Sequence, residues 1–118
     1  MRYLCLVYHE EANIEALPAA EYAAMVEEVL DYREQLQASG HYIASSALQS
    51  VQMATAIRVR NGRLSVTDGP FAETREQLGG FYVIEASDLN DAIRVASKMP
   101  PARRGCIEVR PLLEFCTE

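Results

Sequence analysis

The sequence predicts an α+β fold in which a mainly antiparallel sheet is covered on one face by two helices. Three observations carry this reading. Two stretches place apolar residues every three or four positions in a chain otherwise patterned for strands. An Asn-Gly pair joins two runs of strict alternation, the signature of a tight hairpin. Two further runs, residues 2–8 and Phe81 to Ala86, are apolar at nearly every position, as strands covered on both faces are.

In chain order, RYLCLVY at residues 2–8 reads as a central strand. Pro18 suits the first turn of a helix, with Glu21 near its positive end. Tyr22, Met25, Val26, Val29, Tyr32 and Leu36 form its apolar stripe, and Gly40 is its expected C′ residue. A short strand follows from His41 to about Leu48. Ile57 and Val59 then alternate with Arg58 and Arg60, Asn61-Gly62 turns the chain, and Leu64 and Val66 alternate with Ser65 and Thr67. A two-residue turn sets Val59 opposite Leu64 and Ile57 opposite Val66, so one face is apolar. FYVIEA is the next strand. Asp88 is the expected N-cap of a second helix, with Asp91 three residues on in a weak capping box. Leu89, Ala92, Ile93, Ala96 and Met99 form its stripe, and Pro100-Pro101 stops it. In CIEVRPLLEF, Ile107 and Val109 share one face of a last strand edged by Pro111.

The order β, α, β, β-hairpin, β, α, β describes a plait resembling a ferredoxin-like fold. With helices on one face only, the other face needs a cover. A second copy is the expected one, giving a homodimer.

At 118 residues the chain suits a single domain, residues 1–118, with one core. A net charge of -6 and a pI near 4.9 oppose a nucleic-acid or anionic-membrane surface, which would need clustered Lys and Arg. The first apolar run meets charge at His9 and Glu10, too soon for a signal segment, and no run is long enough to cross a membrane. Cys5, Cys106 and Cys116 are odd in number and widely spaced, which indicates neither a disulfide framework nor a zinc site. A cytoplasmic location is the expectation.

Chemistry concentrates between Val66 and Phe81, VTDGPFAETREQLGGF. Asp68 shares parity with Leu64 and Val66, so a strand one residue longer would aim it toward the hairpin's covered face, unless it caps the turn by accepting backbone N–H bonds. Gly69 and Pro70 shape the bend, and Phe71 is expected to bury its ring as an anchor. Glu73 and Glu76 would share one side of a short helical turn across Ala72 to Gln77. No His or Cys set accompanies them, so no metal or cofactor is expected. Gly79 and Gly80 return the chain to a strand, which brings Tyr82 near the loop.

MRYLCLVY, VTDGPFAETREQLGGFYVIEASDLNDAI and IEVRPL resemble the YCII-related proteins of the DGPF type, named for the tetrapeptide Asp68-Gly69-Pro70-Phe71. The similarity runs over about residues 1 to 113. It implies a dimeric α+β barrel built on the ferredoxin-like plait. In the broader family some members bring a His and an Asp together in a pocket, and genes of the DGPF branch often lie near sigma factors of the extracytoplasmic-function class. Asp68 carries over as the acidic partner. The first helix holds no histidine, which leaves His9 and His41, both at strand ends.

Two functional readings follow. In one, Asp68 is the general acid or base of a small-molecule enzyme, with His9, His41 or Tyr82 beside it and Gly69, Pro70, Phe71, Glu73, Glu76 and Tyr82 as ligand-binding candidates. In the other, the protein is a non-catalytic ligand-binding or structural interaction dimer linked to sigma-factor regulation. G-x-S-x-G, P-loop and G-x-G-x-x-G motifs are absent, which removes the commonest hydrolase, nucleotide-binding and dehydrogenase readings.

Overall fold

The computed structural model describes residues 1–114; Cys116 lies outside them. Four strands, β1 (Arg2–His9), β2 (Tyr42–Ala47), β5 (Gln77–Glu85) and β6 (Cys106–Pro111), form an antiparallel sheet in the order β2-β5-β1-β6. The remaining two, β3 (Thr55–Arg60) and β4 (Arg63–Asp68), form a separate hairpin inserted between β2 and β5. The helices are α1 (Glu11–Glu15), α2 (Ala19–Ser39) and α3 (Leu89–Ser97). Without the hairpin and the short α1, the chain is the βαββαβ plait expected from the sequence.

β1 is central because it pairs on both sides. Its alternate residues Tyr3, Cys5 and Val7 lie opposite Ile84, Tyr82 and Gly80 on β5, and opposite Pro111, Val109 and Ile107 on β6. This face carries the core. Tyr3, Cys5, Val7, Tyr82 and Ile84 are buried with Ala92, Val95 and Ala96 of α3, Met99 just beyond it, and Leu36 of α2. Burying a large apolar side chain contributes about 1.5–3 kcal/mol. Alanines on α3 let the helix lie close to the sheet. Burial also pushes the Cys5 thiol up to about 11, so it packs as an inert apolar group.

The helix ends follow local chemistry. Pro18 is the N-cap rather than a first-turn residue, so the helix begins one residue later than expected, and the Pro18 carbonyl accepts from the Tyr22 N–H at 2.9 Å. Gly40 takes the left-handed conformation at φ 81 and donates to Gln37 O, while His41 N–H reaches back to Leu36 O at 3.0 Å. At α3, Asp88 accepts from the Asp91 N–H at 2.8 Å as expected. The Asp91 carboxylate reaches instead to the Ser87 N–H, at 3.0 Å.

The hairpin has its predicted register, with Val59 opposite Leu64 and Ile57 opposite Val66. Asn61 and Gly62 have φ of 52 and 74, as a type I′ turn requires. Within one chain the apolar face is uncovered: Ile57, Val59, Leu64 and Val66 are 58–67% exposed. The reason is tertiary. The hairpin projects from the sheet, and β3 and β4 pair only with each other.

Candidate functional site

A cleft of about 440 Å³ opens between the sheet and the N-terminal half of α2. The stripe of α2 sets its roof. Tyr22, Met25, Val26, Val29 and Leu30 line it, yet none of them is fully buried, because this half of the helix stands off the strands. Val7, Gly80 and Tyr82 form the floor, with Ile14 of α1 at one side and Pro101 and Arg104 at another.

A bulge shapes the floor. Val7 pairs with Gly80 but Tyr8 pairs with Leu78, which leaves Gly79 as the extra residue of β5. A Cβ on Gly79 would lie 2.1 Å from Cε1 of His9, so the missing side chain is what gives the imidazole its place. A Cβ on Gly80 would come 2.8 Å from the Ser46 carbonyl oxygen. The two glycines thus seat His9 and admit β2. His9 also borders a smaller cavity of about 130 Å³ next to Glu11 and Glu15.

Beside Tyr22, Ser45 and Ser46, four side chains bring polar groups to the cleft: His9, Arg33, Tyr82 and Arg104. None of the four has a side-chain hydrogen bond or ion pair with a described residue, whereas Ser45, also at the wall, is engaged by the Tyr42 hydroxyl at 3.0 Å. Tyr82 is the most telling. It is only 5% exposed, yet no buried side-chain oxygen or nitrogen among the described residues lacks a partner. Its unpartnered hydroxyl is therefore open to the cleft that it lines. Burial raises the phenol above its ordinary value, Tyr32, Tyr42 and Cys5 add to the shift, and Arg33 opposes it. At neutral pH Tyr82 is a hydrogen-bond donor.

The other sequence candidates lie elsewhere. Asp68 ends β4 opposite Thr55, exposed, with no hydrogen bond from its carboxylate to a described residue and no place in either cavity. The neighbouring Gly69 N–H donates to Ala54 O at 2.7 Å, and Gly69 has φ 97. The expected anchoring by Phe71 is corrected, since its ring is 83% exposed. The expected helical turn across Ala72 to Gln77 is corrected as well, because the segment bends without helix. Gln77 holds it instead: its Nε2 donates to the Thr74 and Arg75 carbonyls, and its Oε1 accepts from the Glu11 N–H at 2.9 Å. Arg75 reaches Glu10 at 3.1 Å, while neither Glu73 nor Glu76 reaches a cavity, nor do Gly69 and Pro70.

His41 belongs to a clasp between α2 and α3. Ser39 Oγ lies 2.7 Å from its Nδ1, and Asp91 Oδ2 lies 3.2 Å from its Nε2. The Ser87 N–H, then Arg94, then His41 hold the Asp91 carboxyl well below the usual carboxylate range. A depressed carboxyl stabilises the fold fully above its unfolded value, about 3.9, and loses that contribution as pH falls below it. Urea unfolding should therefore show stability falling between about pH 4 and pH 2, with a smaller fall in Asp91→Asn. An equal fall in both proteins would remove Asp91 from the acid response.

Sequence reasoning did not single out Arg33 and Arg104. Arg33 follows Val29 by four and Leu30 by three, so α2 periodicity carried its placement. Arg104 follows a 3-10 turn at Pro100–Arg103 and had no periodic signal. Among the described residues no group of three or more His, Cys, Asp or Glu could hold a metal ion, and no helix is long and apolar enough to cross a membrane.

A family model described as YCII-related domain matches residues 1–116. An uncharacterised protein of Rhizobium meliloti (strain 1021) is 32% identical over 114 residues, covering 95% of this chain and 92% of its own length.

Proposed function

This chain belongs to the YCII-related domain family, and from that premise we propose that it is a homodimeric protein that binds a small molecule in the cleft between α2 and the sheet. One observation carries the reading: the Tyr82 hydroxyl, on a side chain 5% exposed, opens on the cleft without a protein partner. The hydroxyl is free to donate to a ligand that occupies the cleft, and a ligand with an acceptor placed to meet it gains specificity. The cleft volume suits a small organic molecule, and its largely apolar lining with a few convergent polar groups is the usual character of such sites.

Proton transfer to the bound molecule is a second reading, favoured by His9. Its ring has no hydrogen-bond partner among the described residues, and imidazole is the side chain whose ordinary pKa lies nearest neutrality. Tyr82 would orient the molecule as donor while His9 exchanges the proton. Asp68 enters this chemistry only if the hairpin carries it to the cleft of a second copy.

The dimer is supported by shape. The radius of gyration is 16.4 Å, against about 13.5 Å for a compact domain of this length. The excess fits the projecting hairpin and its uncovered apolar face, which a second copy would bury.

Ligand-observed NMR against a panel of small aromatic and aliphatic molecules tests the binding. Val26→Trp fills the roof at a half-exposed position and should abolish binding with little loss of melting temperature, while Asp68→Ala should change affinity by about twofold or less. Unchanged binding in Val26→Trp would place the ligand elsewhere, and a tenfold loss in Asp68→Ala would bring Asp68 to the site.

A further inference from the structure

We infer that the molecule this cleft selects is a small organic acid, its apolar body held between α2 and the sheet and its carboxylate held by Arg33 and Arg104. The inference rests on the cleft being the ligand site and adds the charge and class of the ligand. Three observations converge on it.

The first is a local inversion of charge. The chain carries 17 acidic and 11 basic residues, yet no described Asp or Glu lines the cleft, while two arginines do. In a protein of net charge -6, an anion is repelled at long range and attracted only where such cations are placed.

The second is that both guanidinium groups are free. Neighbouring arginines are spoken for: Arg103 pairs with Glu28, Arg94 with Asp91 and Arg75 with Glu10. The Arg103–Glu28 pair ties the turn after α3 to α2, and so fixes the backbone from which Arg104 projects. Arg33 and Arg104 have no ion pair with a described residue. A planar guanidinium presents paired donors that match a carboxylate, and two of them can share one.

The third is the division of the lining. The α2 stripe and Val7 are apolar, and Tyr82 presents an unpartnered hydroxyl in the floor. A fully polar ion such as inorganic phosphate would leave the apolar wall unused, and a neutral hydrocarbon would give the two guanidinium groups and the Tyr82 hydroxyl no acceptor. An acid with an apolar chain or ring satisfies both parts.

Octanoate and 1-octanol form a matched pair, equal in chain length and different in charge. The test titrates each into the protein by calorimetry, with backbone amide NMR shifts at Val7, Gly80 and Tyr82 locating the site. Octanoate should bind at least about tenfold more tightly than octanol, with shifts at those residues. The double variant Arg33→Gln, Arg104→Gln should bring octanoate to the level of octanol and leave octanol unchanged. Both arginines are exposed and unpaired, so this variant keeps the fold, which its melting temperature checks. Equal binding of the two probes at the cleft overturns the charge inference and leaves the ligand site standing. Absence of cleft shifts with either probe overturns the inference together with the site.

Discussion

The double substitution Val59→Asp, Leu64→Asp is expected to dissociate the proposed dimer into a monomer of 13.2 kDa, read by light scattering at micromolar concentration. The two residues are opposite one another near the hairpin tip, 58% and 67% exposed. In the isolated chain the new carboxylates stay in water, and opposing like charges cost the hairpin only about 0.2–1 kcal/mol. In a dimer that covers this face, each copy would bury two charges, at several kcal/mol per ion after relaxation. Association should therefore weaken by well over a hundredfold. Arg58→Asp, on the opposite face of the same strand, should leave the dimer intact and controls for damage to the hairpin. A wild-type protein that is already monomeric, or a double variant still at twice the chain mass, contradicts the proposed contact.

Gly105→Ala should be the most destabilising glycine substitution, and Gly79→Ala should be far milder in stability but not in binding. A Cβ on Gly105 would sit 1.9 Å from the Tyr8 carbonyl oxygen and 3.0 Å from the His9 Cα. Both obstacles are backbone of the central strand, and neither can move without breaking the pairing of β1 with β6. A loss of about 3 kcal/mol or more is expected, at the upper end for overpacking. The obstacle at Gly79 is the His9 ring, a side chain that can swing away. Gly79→Ala should cost about 1 kcal/mol or less, and should move the His9 ring resonances while weakening ligand binding. Equal stability losses in the two variants would contradict the assignment of a backbone contact to one and a side-chain contact to the other.

These contrasts separate what the sequence could tell from what it could not. The hairpin register was readable because a two-residue turn and a period of two are local rules, and Val59, Leu64 and Asn61-Gly62 obey them. The caps at Gly40 and Asp88 were readable for the same reason. Where the hairpin lies was not, since nothing in its alternation says whether its apolar face meets this chain or another. Asp68 had the parity the register gave it but not the covered environment. The seat of His9 depends on a bulge that exists only once β1 and β5 pair, and Phe71 depends on packing that the loop does not make. His9 and Tyr82, named as neighbours of a site in the loop, share a cleft that the loop does not enter.

The most direct test of a ligand site beneath α2 is a crystal structure of the wild-type protein grown with octanoate. Density for an organic molecule in the cleft, with an oxygen within about 3 Å of the Tyr82 hydroxyl, is the predicted result. A cleft closed by α2 settling onto the sheet, with the Tyr82 hydroxyl bonded to a protein group, would contradict the account.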